Sequence, residues 1–168
     1  EQVIFCAGRL WDEAKNVGTV CTVARELPWP VVLAGDCMAP GGRKIQLPNV
    51  RCLGKVAGDD IPAWFGRAAI YAHPARYEPF GLSVLEAAAS GCALVLGDIP
   101  SLRENWDEAA LFVNPGDCRQ IRNAIQRLIE DPGLRGRISE KARMKAQSYS
   151  IRTAAELYHE AYSSLLRQ

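Results

Sequence analysis

The chain has 168 residues, 48% of them hydrophobic and 23% charged, which are the proportions of one globular domain rather than a disordered or low-complexity scaffold. Lys plus Arg number 20 and Asp plus Glu 19, a net charge of +1 that argues against a general nucleic-acid binder. No apolar run approaches the roughly 20 residues that span a bilayer, so no transmembrane segment is expected.

Taken in chain order, short apolar runs alternate with helical patterns. Strands are predicted at Val3–Ala7, Val31–Ala34, Val50–Leu53, Ala69–Ala72, Ala93–Leu96 and Ala110–Val113. Most are four or five residues long, apolar on both faces and followed by Gly, Pro or Asp, the pattern of parallel strands covered on both sides. Helices fall between them at about Val17–Leu27, Ile61–Arg67 and Gly81–Ser90. This alternation predicts an α/β fold, a Rossmann-like doubly wound parallel sheet of about six strands. After Pro115-Gly116-Asp117 the pattern becomes all helix. Asp117 is positioned to cap a helix to about Glu130, Asp131-Pro132-Gly133 interrupts it, and a second helix runs over about Leu134–Gln147. Ser150 caps a last helix whose Ile151, Ala154, Ala155, Tyr158, Ala161, Tyr162, Leu165 and Leu166 form one apolar stripe. That stripe must fold back on this domain or meet one outside the chain. The charge is uneven: from Arg119 onward Lys and Arg number ten against five acids, which reads first as the solvated face of a helical tail and second as attraction to an anionic surface.

Six cysteines, at 6, 21, 37, 52, 92 and 118, include no CxxC pair, so neither a zinc site nor a thioredoxin motif is expected. They read as reduced thiols of a cytoplasmic protein. Two histidines, His73 and His159, are too few for a metal cluster.

Ligands of an open parallel sheet bind beyond the carboxyl ends of its strands. After the first strand comes Gly8-Arg9-Leu10-Trp11-Asp12-Glu13-Ala14-Lys15-Asn16, whose Arg9 and Lys15 can fold onto one anion. Two solvated loop cations would have the same spacing. After the fourth strand comes Tyr77-Glu78-Pro79-Phe80-Gly81-Leu82-Ser83-Val84-Leu85-Glu86-Ala87, where Pro79 and Gly81 mark a helix start whose amides offer an anion site. Glu78 alone is explained as a dipole device. Glu86 is not: an acid on an otherwise apolar helix needs a partner, such as the hydroxyls of a ribose or hexose. No GxGxxG follows the first strand and no GxxxxGK[ST] or GxSxG occurs, which disfavours dinucleotide, P-loop and α/β-hydrolase readings.

The succession GRLWDEAKN, LAGD, LGKV, HPARYEPFGLSVLEAAASG and NPGD resembles the C-terminal half of a GT-B glycosyltransferase. More narrowly it is similar to the retaining family called GT4 or glycosyltransferase group 1, over nearly the whole chain. The most specific element is Glu78-x7-Glu86 enclosing Pro79-Phe80-Gly81-Leu82. The resemblance implies that Arg9 and Lys15 bind the diphosphate of a nucleotide diphosphate sugar, with backbone amides around Gly81 and Leu82 completing the cradle. Glu86 would hold the ribose hydroxyls, Glu78 the transferred sugar near its reacting carbon, and Gly54-Lys55-Val56 the base. Phe80 falls among the donor-contacting positions. Glu78, Arg9 and Lys15 are the catalytic candidates it implies, with no metal and no cofactor beyond the donor substrate.

It also implies that residues 1–168 are the single sugar-nucleotide-binding domain, with a helical tail from about 117. The N-terminal acceptor-binding domain, its partner, is then expected to lie outside this chain, whose start at Glu1 reads as that of an excised or processed piece. The isolated domain should bind nucleotide without catalysing transfer. Peripheral attachment of the full-length enzyme to the inner face of a membrane is compatible with this reading. An epimerase-like GT-B enzyme and a non-catalytic sugar-nucleotide-binding module are the rival readings. The first should carry more histidine around the cleft, and the second has little reason to keep all four charged residues.

Overall fold

The computed structural model describes residues 1–166. Six parallel strands form one sheet: β1 (Ile4–Ala7), β2 (Val31–Ala34), β3 (Arg51–Cys52), β4 (Ile70–His73), β5 (Ala93–Gly97) and β6 (Ala110–Val113). Their spatial order is β3-β2-β1-β4-β5-β6, the doubly wound Rossmann order. β1 registers Ile4 against Val31 on one side and against Ile70 on the other. The crossover therefore reverses at the β1/β4 boundary, which leaves a crevice beyond Ala7 and His73.

Among the described residues there are seven α-helices, of which α1 (Val17–Ala24), α2 (Ile61–Arg67), α3 (Leu82–Ala89), α4 (Pro100–Trp106), α5 (Cys118–Glu130) and α6 (Pro132–Gln147) contribute to the two cores and α7 (Ile151–Leu165) follows them. β2, β4 and β5 are buried throughout, as continuous apolar strands between two helical layers must be. One layer packs Val20, Val23, Ile121, Ile125 and Leu128 of α1 and α5 against Ile4, Leu33, Ile70 and Val95. The other packs Phe65, Val84, Ala87, Leu102 and Trp106 against Phe5, Tyr71, Leu94 and Leu96. α6 joins both, with Ile138 in the first core and Ala142 and Ala146 in the second.

The predicted caps hold. Asp117 accepts from the Gln120 amide at 3.0 Å and Ser150 from the Thr153 amide at 3.0 Å. Several boundaries differ from expectation. β3 shrinks to two exposed edge residues, and α1 stops at Ala24 rather than Leu27. Asp131-Pro132-Gly133 is not a gap. Asp131 ends α5 and caps α6 through the Leu134 amide at 2.8 Å, and Pro132 takes the first helical position, where its missing N–H costs nothing. The sequence pattern missed α4 entirely. α7 has no buried residue, so its apolar stripe is not covered by the domain that carries it.

Candidate functional site

The crevice is built by the segments that leave β1 and β4. After β1 the chain makes a 3-10 turn over Glu13–Lys15, which Asp12 caps by accepting from the Ala14 amide at 3.0 Å. The turn ends at Asn16 in the left-handed region, φ 57°. Asn16 is a buried polar residue whose amide group is fully used. Nδ2 donates to Pro74 O at 2.9 Å and Pro115 O at 2.7 Å, and Oδ1 accepts from Thr19 Oγ1 at 2.7 Å. One side chain thereby ties together the loops that follow β1, β4 and β6. The Ala14 carbonyl adds a further tie by accepting from the Arg76 amide at 2.8 Å.

Lys15 is aimed by this turn at Glu78, with Nζ to Oε2 at 2.7 Å. His73, at the end of β4 and 4% exposed, brings Nε2 to 3.0 Å from the same oxygen. The His73 bond first, and the Lys15 bond after it, pull the Glu78 carboxyl down to about 2 against the opposing effect of burial. Glu78 is thus ionised and can only accept, which assigns the Nε2 proton to His73. The backbone of Glu78 is held as well, because Ser101 Oγ of α4 donates to its carbonyl. Arg9 is more open: it pairs with Asp12 at 2.8 Å and lies over the Trp11 ring.

Four residues past Glu78, α3 begins. Its cap is Gly81 at φ 87°, and no side chain caps the first turn. The angle favours glycine, and a Cβ there would also press to 3.0 Å from Val84 Cγ2. The unsatisfied first-turn amides consequently open on the crevice. The Tyr71 hydroxyl fixes this helix start to the end of β1, lying 3.1 Å from Ala7 O and 2.9 Å from Ser83 Oγ. Gly35 closes the floor, since a Cβ there would fall 1.7 Å from Gly8 O. Glu86, one turn into α3, has no hydrogen-bonding or charged partner for its carboxylate among the described residues. Burial alone raises its pKa.

The sequence-selected residues converge. Arg9, Lys15, Glu78, Phe80, Gly81 and Leu82 line a cavity of about 390 Å³. Lys55, Val56 and Glu86 line an adjoining one of about 450 Å³, and the two share Ala7, Gly8, Leu82 and Ser83. Gly54 and Lys55 face a third, of about 870 Å³, on the β2/β3 side. Phe80 is braced from behind by an edge-on contact with Tyr149 at 5.5 Å. The pattern-based reading missed His73, Asn16, Ser101 and Tyr71. Of these only His73, three residues past the start of an apolar strand and five before Glu78, left a usable signal.

Fold and cleft together define the class: a doubly wound α/β domain whose switch-point cleft is lined by Arg9, Lys15 and the uncapped start of α3, with one carboxylate paired to Lys15 and a second left unpaired among the described residues. A family model described as glycosyl transferases group 1 matches residues 1–131. The chain belongs to that glycosyltransferase family. It is 29% identical over 116 residues to the O-antigen chain mannosyltransferase B of Escherichia coli, covering 69% of this chain and 30% of that protein. It is 32% identical over 124 residues to the D-inositol 3-phosphate glycosyltransferase of Salinispora arenicola, covering 69% and 27%. It is 31% identical over 154 residues to the glycogen synthase of Mycobacterium tuberculosis, covering 89% and 36%. The chain thus spans about a third of the length of these relatives. Among solved structures, Anabaena Alr3699/HepE in complex with UDP superposes with a TM-score of 0.87 at 23% identity, over 98% of this chain and 49% of that one. The same protein in complex with UDP-glucose gives 0.82. At this identity the likeness shows the fold alone, over about half of that chain. No helix among the described residues is long and apolar enough to cross a membrane.

Proposed function

We propose that this chain is the donor-binding half of a retaining glycosyltransferase that moves a sugar from a nucleotide diphosphate sugar to an acceptor. The observation that carries the reading is the junction at the β1/β4 switch point. There Lys15, an ionised Glu78 and the uncapped start of α3 meet in one cavity, with Glu86 unpaired in the next. Arg9, Lys15 and the α3 amides bind the diphosphate. Glu86 accepts from the ribose hydroxyls, Gly54-Lys55-Val56 borders the base, and Glu78 faces the sugar. Relatives named as glycosyltransferases and a structural neighbour in complex with UDP support the assignment.

In the reaction the bond from the anomeric carbon to the diphosphate breaks and a bond to the acceptor oxygen forms on the same face. Negative charge grows on the leaving diphosphate, where the fixed cations and amides are aimed. These groups supply the charge neutralisation a divalent ion provides elsewhere, so binding needs no metal. Glu78, held at low pKa by His73 and Lys15, is a hydrogen-bond acceptor for the sugar and a poor proton donor. Acceptor positioning belongs to the other half of the enzyme, and this chain alone binds nucleotide without transferring sugar.

Calorimetric titration with UDP, GDP and ADP tests the reading. One of them should bind with equal affinity in the presence and absence of EDTA. Arg9→Ala and Lys15→Ala should each weaken that binding by roughly 1.5–3 kcal/mol, the worth of a charge-assisted contact. Failure of every nucleotide to bind a folded chain would refute it.

A further inference from the structure

The β2/β3 side of the cleft carries two cysteines that the donor site does not use. Leu33 of β2 is registered with Cys52 of β3, and the chain leaves β2 through Gly35 and Asp36 to Cys37. Between the two cysteines a loop returns on itself, held by the Met38–Lys44 bridge and by the Ile45 amide donating to Cys37 O at 3.0 Å. The return brings Cys37 Sγ to 3.1 Å from Cys52 Sγ. A disulfide bond is about 2.05 Å long, so roughly 1 Å of sulfur travel separates this contact from a bond. Cys52 is exposed and within reach of a small reagent, whereas Cys37 is half-buried behind it. Cys6, Cys21 and Cys92 are buried, and Cys118 is exposed on α5.

The geometry points to Cys37 and Cys52 as a reversible redox pair, whose disulfide would fasten the 38–51 loop along the rim of the cavity beside Gly54 and Lys55. The oxidant is a low-molecular-weight disulfide of the glutathione class. Cys52 gives its proton to solvent, its thiolate attacks one of the oxidant's sulfurs to form a mixed disulfide, and one small thiolate is expelled. That thiolate takes the Cys37 proton, and Cys37 attacks the Cys52 sulfur. The Cys37–Cys52 bond forms, the mixed disulfide breaks, and a second small thiolate, released last, takes up a proton from solvent. The pair loses two electrons and two protons, and the small disulfide gains them as two thiols. Exposure gives Cys52 the first step. Burial first, and then its bond to Cys52, raise the Cys37 thiol to about 11 and suit it to act second.

The pair frames the cavity. Cys37 adjoins Asp36, which forms an ion pair with Lys55 at 3.0 Å, and Cys52 lies two residues before Gly54. Loop residues Lys44, Ile45, Leu47 and Pro48 line the cavity, so a bond between its flanks restricts their excursions without displacing them.

The test uses the 168-residue chain with Cys118→Ser, incubated with glutathione disulfide, alkylated and mapped by peptide mass. A Cys37–Cys52 cross-linked peptide in the monomer, removed by dithiothreitol, is the expected result, with slower deuterium exchange across 38–51 in the oxidised form. In Cys37→Ser, glutathione should remain attached to Cys52. Full alkylation of both cysteines after oxidation would overturn the proposal, as would a Cys21–Cys52 cross-link in place of the expected one. Neither readout depends on nucleotide binding.

Discussion

Glu78 carries the most charge-dependent interactions of any residue in the cleft, and their sign can be worked out. Its pKa falls from 4.5 to about 2 on folding, with His73 the leading cause and Lys15 next. The stabilisation is therefore fully present above about pH 4.5 and is lost as the pH falls toward 2. Glu78→Gln leaves Lys15 and His73 facing a neutral amide, and should cost about 1–3 kcal/mol near neutrality. The gap between variant and parent should close as the pH approaches 2, which urea midpoints across that range would show. In ligand binding the two glutamates separate. Glu86→Gln should weaken a nucleotide that carries no sugar, while Glu78→Gln should spare it. Asn16 makes a third case. Asn16→Ala strands the Pro74 and Pro115 carbonyls and forces an alanine to φ 57°, while Asn16→Gly removes only the hydrogen bonds. Both should destabilise, with alanine the worse by about 1 kcal/mol in denaturant titration. Equal losses would mean that the backbone angle contributes nothing there.

At the level of elements, α4 shows what the sequence conceals. It has only seven residues, and Asp98, Arg103 and Asp107 form an exposed ion network along it. Just two of its residues, Leu102 and Trp106, are buried. One i, i+4 pair is too little for a periodic signal. The central strands were legible for the opposite reason: runs such as Ala93–Leu96 are buried on both faces and read as continuous apolar sequence. The charged and glycine positions of the cleft were legible because the strand ends point to them. Asn16 was not, since its partners lie 58 and 99 residues away in tertiary packing that no local spacing encodes. Although short, α4 positions Glu78 through Ser101 and plugs the second core with Leu102. Leu102→Ala, at a fully buried site, should cost about 2–5 kcal/mol of stability. Ser101→Ala should cost far less stability. A full-length enzyme carrying it should lose more in turnover than in nucleotide affinity.

For the whole molecule, the feature without a match is α7. Ile151, Leu157, Tyr158, Tyr162 and Leu165 are each more than 60% exposed, on a helix that buries nothing. Such a continuous apolar strip on a free-standing domain favours self-association. Sedimentation should therefore show a concentration-dependent oligomer that the double substitution Leu157→Glu/Tyr162→Glu disperses, with nucleotide binding intact. A monomer at every concentration would show that the exposed strip is not adhesive.

The Asn16 knot also bears on how the chain comes to be finished during synthesis. Its two carbonyl partners lie 58 and 99 residues downstream, and Lys15 waits 63 residues for Glu78. An emerging chain can make β1, α1 and β2 early, but it holds the first cleft loop without a counterpart until β4 appears, and it cannot tie the knot until Pro115 has left the ribosome. The cleft can then assemble only after β6 and the segment behind it have emerged, although its first loop is made before β2 to β6. A chain terminated just before Pro115 would hold all six strands and still lack one of the two carbonyls that Asn16 Nδ2 grips. Completion of the sheet and readiness of the cleft are separate events in the life of this molecule.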